Sequence, residues 1–229
     1  MLNKNYPKVV LVLGSKKDLV IPKVGINKAY FANGAISKSN QLNKKKDFES
    51  ILVTGARIYL RHPEIQQLIF KSKPSRFVIR GDIHIKDIVK NFPYKFKYNC
   101  FKTNKEINKF QKFFFKGGLF TIYLSEFFYE KKLIYKIIHF FKIILSRSVG
   151  VSTGFFSLLL ALEENKMSKI IISGISFKEG NHFYHKPRSF INRARVDNYL
   201  FKKLKKKYKD KIFTTDLEQA KNLNIKYFI

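Results

Sequence analysis

Apolar residues follow two rhythms along this chain. Short unbroken runs of Val, Ile and Leu, ended by Gly, Ser or Asn, read as strands covered on both faces. They fall at 8–13, 28–32, 50–53, 76–79, 170–172 and 212–214, with 226–229 as a closing edge strand. The second rhythm is helical. Pro63 opens a helix to about Lys71. Leu133, Ile134, Ile137, Ile138, Phe141, Ile144 and Leu145 recur at helical spacing within 125–146. Phe155 to Leu162 is apolar almost throughout, as in a helix buried on most sides. Val196, Tyr199, Leu200 and Leu204 form one face of a helix over 196–208, and Asp216 caps a short last one.

Alternation of these elements predicts an α/β chain: a Rossmann-like, mostly parallel sheet with helices on both faces and a small lid region. Residues 1–229 read as a single domain. Residues 82–128, broken at Phe92-Pro93-Tyr94 and Lys116-Gly117-Gly118, read as a lid or insertion within it. In open α/β sheets the ligand crevice lies beyond the carboxyl ends of the strands. That places Gly14, Ser15, Asn33, Thr54 and Gly55 at the expected site. Asn33-Gly34 reads equally well as a plain turn. Arg80, at a strand end, reads as solvated or facing a ligand. The segment 174–184 is expected to line the site, facing the helix start at Ser152-Thr153-Gly154. Ser152 or Thr153 caps that helix, and Gly154 permits close approach of a ligand or backbone.

Charge changes the picture less than its size suggests. The formal net charge is +30, from 46 Lys and Arg against 16 Asp and Glu. Lys, Asn, Ile, Phe and Tyr are abundant together and Trp is absent, the mark of an AT-rich coding bias. Selection for an anionic partner is the competing explanation. The seven lysines between Lys202 and Lys211 read as a solvated face. The 125–146 helix reads either as a core helix or as an interfacial one, with Lys132, Lys136, His139 and Lys142 towards anionic lipid. A single cysteine, Cys100, excludes an internal disulfide and a cysteine zinc cluster. Met1 to Pro7 lacks an apolar core, so no signal peptide is expected, and the placement expected is cytoplasmic, or the cytoplasmic face of an inner membrane.

The 149–177 unit also carries a resemblance. Ser152-Thr153-Gly154, the apolar helix, and Ser173-Gly174-Ile175-Ser176-Phe177 resemble the corresponding unit of the bacterial sialyltransferases of glycosyltransferase family 42. Gly150 stands where that family has arginine and Ser176 where it has aspartate. Gly14-Ser15-Lys16-Lys17-Asp18-Leu19 keeps the first glycine and the leucine of the family's first nucleotide loop, but not its second glycine. The resemblance implies a CMP-activated sugar donor, no metal or other cofactor, and a surface glycan or lipid-linked glycan as acceptor. It implies nucleotide contacts at Gly14, Ser15, Asn33, Thr54, Gly55, Ser152, Thr153 and Gly154.

The chemistry would centre on the loop after residue 174, which gathers His182, Tyr184, His185, Lys186, Arg188, Arg193 and Arg195. A histidine suits the base that deprotonates an acceptor hydroxyl. Tyrosine hydroxyls or cations suit the departing phosphate. The family's base position projects onto Asn192 or Arg193, neither of which serves, so His182 or His185 is the expected substitute. Tyr184 lies near one family tyrosine and Lys178 at the other. Arg147 or Arg188 is the expected replacement for the missing arginine. Two other classes compete. One is a noncatalytic nucleotide-binding domain. The other is a nucleic-acid binder, suggested by charge and by 24 Phe and 12 Tyr but lacking an RNP-like signature.

Overall fold

Strands with no polar alternation must be covered on both faces, and they are. The computed structural model describes residues 8–17, 19–55, 62–81, 85–115, 133–134, 136–137, 151–177 and 191–228. Among these, eight strands form one sheet: β1 Val9–Leu13, β2 Ile26–Ala32, β3 Lys44–Gly55, β4 Arg76–Arg80, β5 Lys97–Phe101, β6 Lys169–Ser173, β7 Ile212–Thr214 and β8 Lys226–Tyr227. Their order is β5-β4-β3-β2-β1-β6-β7-β8, and every neighbouring pair is parallel. The helices are α1 Pro63–Ser72, α2 Ile85–Asn91, α3 Asn104–Lys112, α4 Thr153–Glu164, α5 Ile191–Tyr208 and α6 Leu217–Leu223. A 3-10 segment, Asn33–Gln41, follows β2.

Side chains alternate across the sheet as a pleat requires. Val10, Val12, Tyr30, Ile51, Val53, Val78, Ile170 and Ile172 face α3, α4 and α5. Leu11, Leu13, Phe31, Leu52, Phe77, Ile79 and Ile171 face the 3-10 segment, α1 and α2. The expected α/β architecture with helices on both faces is therefore present. The strand β5 was not anticipated. It lies within 82–128 and pairs with β4 as the edge of the sheet, with α2 before it and α3 after it. Residues 116–128 lie outside the described residues. Strand β3 also begins earlier than expected, because Lys44 to Phe48, polar in sequence, continue the strand at its amino end.

Helix α4 is the central covering element. Every residue from Phe155 to Leu162 is buried. Each large apolar side chain so buried contributes about 1.5–3 kcal/mol relative to exposure. The two arginines that begin and end β4 hold its two ends. Arg76 Nη2 donates to Glu164 Oε1 at 2.5 Å, and Tyr30 Oη donates to Glu164 Oε2 at 2.6 Å. Asn165 Nδ2 donates to Tyr30 Oη at 3.0 Å and so joins the same knot. Burial, and then the Glu164 carboxylate, push the Tyr30 hydroxyl far above its usual range, so it stays a neutral donor. At the other end Arg80 is buried. Its Nη1 donates to the Val151 carbonyl at 2.7 Å and its Nη2 to Thr153 Oγ1 at 2.6 Å. Its guanidinium also lies 5.0 Å from the Phe156 ring centre. The expectation that Arg80 is solvated or free to face a ligand is thus corrected: it is 4% exposed and committed to the start of α4.

Removing either clamp should loosen the helix by different amounts. Arg80→Leu leaves two buried acceptors without their donor and should cost about 2–4 kcal/mol, with Arg80→Lys recovering only part. Tyr30→Phe removes a bond to a carboxylate that Arg76 still holds and one from Asn165, whose amide still donates to Ala161 O, and should cost about 1–2 kcal/mol. Urea midpoints at constant m-value measure both. Equal losses would contradict the assignment of Arg80 as the firmer clamp.

Candidate functional site

The topological switch lies between β1 and β6, where the chain leaves in opposite directions, to β2 and to β7. That is where the crevice of an open α/β sheet belongs. Here the two strand ends stay zipped. Gly14 N donates to Ser173 O and Lys16 N to Gly174 O, each at 2.8 Å. A Cβ at Gly14 would lie 2.5 Å from the Gly174 carbonyl carbon and 2.7 Å from Ile175 N. Gly174 has φ +66°, a left-handed conformation that favours glycine. The loop from β1 to β2 then lies over β6 and β7. Val20 O accepts from Ser173 Oγ at 2.6 Å and from Thr215 Oγ1 at 3.0 Å. Lys16 Nζ pairs with Asp216 Oδ2 at 2.8 Å, while Asp216 Oδ1 caps α6 by accepting from Gln219 N at 3.0 Å. Gly14 therefore serves close backbone packing at this end, and Ser15 beside it is buried.

On the other side of β1 the carboxyl ends of β2, β3 and β4 lie next to one another. The register pairs Ala32 with Val53, Thr54 with Ile79 and Gly55 with Arg80. Asn33, Thr54, Gly55 and Arg80 thus end three adjacent strands on one edge. Asn33 has φ 51°, is 8% exposed, and its Oδ1 has no hydrogen-bond partner among the described residues. Such a buried acceptor costs about 1–3 kcal/mol while unmatched. Thr54 is fully buried, and a Cβ added to Gly55 would meet nothing within 4 Å. Beside Arg80 sits the start of α4. Ser152 is its cap, with Oγ accepting from Phe155 N at 3.1 Å. Ser152 N in turn donates to Oδ1 of Asp197, a buried carboxylate on α5, at 3.2 Å. Asp197 is a site-wall residue that the sequence reading missed. Its sole signal was an acid on the apolar face of a helix.

Gly154 does permit close approach, and the neighbour is protein: a Cβ there would meet Ile175 Cγ1 and Cγ2 at 3.5 Å. The turn after β6 consequently faces the helix start, as expected, with Phe177 edge-on to Phe155 at 6.2 Å between ring centres. Gln219 Nε2 holds this turn by donating to Ile175 O at 2.5 Å. His182, Tyr184, His185, Lys178 and Arg188 lie outside the described residues, as does Arg147. So does most of the 125–146 segment. Leu133, Ile134, Lys136 and Ile137 are described there as helical, with Leu133 73% exposed. Among the described residues no group of three or more His, Cys, Asp or Glu is placed to hold a metal, and no helix is long and apolar enough to cross a membrane.

Together, the fold and this edge define a protein of the doubly wound α/β class with polar side chains at the carboxyl ends of its strands. A scan of family models, a search of curated proteins and a search of solved structures each found no match for the chain.

Two measurements test how this edge is built. Gly14→Ala must push two backbones apart and should cost roughly 2–4 kcal/mol, whereas Gly154→Ala meets ordinary contact distances and should be neutral or stabilising by up to about 1 kcal/mol. Denaturant midpoints of the two variants should differ in that order. The Lys16 hydrogen bond, the Gln219 amide and the Lys16 charge outweigh burial and hold the Asp216 carboxyl below its ordinary value. Its stabilising effect is therefore full above about pH 4 and lost as pH falls through the lower folded value. Asp216→Asn keeps a good cap and should cost at most about 1 kcal/mol at neutral pH, because the pair is largely solvent-screened. That gap to the wild type should close on acidification; a gap independent of pH would contradict the ion pair.

Proposed function

We propose that this protein is a CMP-sugar-dependent glycosyltransferase of sialyltransferase type, transferring its sugar to a surface glycan by metal-independent inverting displacement. The observation that carries the reading is the edge formed by Asn33, Thr54, Gly55, Arg80 and the Ser152–Gly154 turn. A buried Asn33 Oδ1 awaits a donor there. Cytidine offers one in its exocyclic amine and others in its ribose hydroxyls. Thr153 Oγ1 already accepts from Arg80, which leaves its O–H directed to an outside acceptor such as a phosphate oxygen. The buried Arg80 guanidinium and the amino end of α4 bring positive potential to the same place. On this reading Arg147 or Arg188 stands in for the missing family arginine, while Arg80, committed to the start of α4, adds only its field there.

In the reaction, the acceptor oxygen attacks the anomeric carbon while the bond from that carbon to the CMP phosphate oxygen breaks. The acceptor proton passes to His182 or His185, assigned from sequence alone. Charge arising on the phosphate is met by Tyr184, Lys178 or Arg188, assigned in the same way, and by the α4 end. The placement that suits a lipid-linked acceptor is the cytoplasmic face of a membrane. A noncatalytic nucleotide-binding domain is the second reading, favoured by Asn192 or Arg193 at the family's base position and by Gly150 and Ser176 at two others.

Thermal unfolding with nucleotides, followed by a donor hydrolysis assay, separates these. At a hundredfold excess over Kd, CMP should stabilise by about 2.7 kcal/mol, roughly a 5–10 °C rise in melting temperature, with UMP and AMP giving little. Asn33→Leu should abolish that rise. CMP-sialic acid hydrolysis should vanish in the His182→Ala/His185→Ala double variant while CMP still binds. CMP binding without hydrolysis selects the second reading, and no response to CMP removes both.

A further inference from the structure

Helices α3 and α5 end side by side. Phe114 and Tyr208 have ring centres 6.2 Å apart, and Lys207 Nζ lies 5.6 Å from the Phe113 ring centre. Both helices turn apolar residues inward, Ile107 on α3 and Leu200, Phe201 and Leu204 on α5, and Gln111 of α3 is buried with them. What they leave outward is basic. Lys109, Lys112, Lys203, Lys206 and Lys207 are exposed. Among the described residues none of these five has a carboxylate within ion-pair distance. Glu106, the acid on the outer face of α3, is tied into a capping box with Thr103. In the midst of the lysines Phe113 is 54% exposed.

From this face we infer that the protein docks on an anionic lipid bilayer through the adjoining ends of α3 and α5. The lysines meet headgroup phosphates, and Phe113 enters the boundary between headgroups and acyl chains. Each lysine held near an anionic surface adds about 1 kcal/mol of attraction, so five such charges with one aromatic anchor suffice for reversible adsorption. The chemistry favours lipid over nucleic acid. No arginine is among these exposed cations, although its planar fork is what suits specific recognition of nucleic-acid phosphates. Phe113 and Lys109 share an open cleft with the carboxylates of Glu106 and Glu163, which would repel the phosphates of a strand tracked through it. Lys203 and Lys207 lie over the Tyr199 and Tyr208 rings, which support their stems at the surface. The inference does not depend on the nucleotide site, which lies at the carboxyl edge of β2 to β4.

The full chain should be sedimented with neutral phosphatidylcholine vesicles and with vesicles of which about a third of the lipid is phosphatidylglycerol. It should bind the second and not the first, and release at about 0.5 M salt. The triple variant Lys203→Glu/Lys206→Glu/Lys207→Glu should bind at least about tenfold more weakly, with unchanged melting temperature because the side chains are exposed. The chain has no Trp, so Phe113→Trp provides a single reporter, and its emission should shift to the blue on adding anionic vesicles. Equal binding to neutral vesicles, an unaffected triple variant, or an unshifted Trp signal in bound protein would each overturn the proposal. So would a single-stranded oligonucleotide that displaces the vesicles and binds more tightly through the same lysines.

Discussion

An apolar helix on an apolar sheet has no fixed position along its own axis, because one greasy contact substitutes for the next. In this protein that freedom is removed by β4, whose first and last residues are arginines on the face that meets α4. Arg76 holds Glu164 at one end, and Arg80 holds the Val151 carbonyl and the Thr153 hydroxyl at the other. The strand works as a ruler for the helix. With α4 so fixed, its first turn sits beside the carboxyl ends of the sheet, and the Ile175 turn packs against Gly154. The buried charge of Arg80 has a second consequence. It adds positive potential at the end of α4 that already carries the positive end of the helix dipole. Oδ1 of Asp197, reaching over from α5, accepts from Ser152 N and supplies negative charge to that end.

The β1 and β6 ends stay closed at the switch point. Two glycines allow the backbones to remain paired past the point where the strands would part, and Val20 then receives hydroxyls from β6 and from just beyond β7. A ligand at the switch point would have to displace four main-chain or hydroxyl bonds and the Lys16–Asp216 pair. On the other side of β1, among the described residues, a Cβ at Gly55 would meet nothing within 4 Å and Asn33 Oδ1 has no donor.

The sequence disclosed the strands best where they are buried on both faces, since Val9–Leu13 and Ile170–Ile172 admit no amphipathic reading. It failed at β5, whose Lys97, Tyr98 and Asn99 are exposed and whose composition is that of a loop. An edge strand is held by a single neighbour, and hydrophobic runs are not required of it. The first residues of β3 escaped notice for the same reason. The placement of Arg80 was beyond reach because its partners, Val151 and Thr153, lie more than 70 residues away in sequence, and a strand-end arginine is ordinarily solvated. Asn33 and Thr153 were picked out by position at strand and helix ends, while Asp197 was passed over because a lone acid in a lysine-rich helix attracts no attention.

The surplus of lysine has a simple source in coding bias, but bias does not decide where the acids go. A uniform drift towards lysine would leave the few carboxylates scattered among the cations. Instead Glu49 and Glu164 are drawn to Lys28, Arg76 and Tyr30 at the amino end of the sheet, and Asp216 to Lys16 at the other. Each is used to fasten one element to another. The outer surfaces of α3 and α5 are left without such neutralisation, and the field they produce is set by topology as much as by composition. Glu106 lies on the same outer surface but is tied to its own helix end, and the exposed Phe113 among the lysines makes that face different from a merely solvated one.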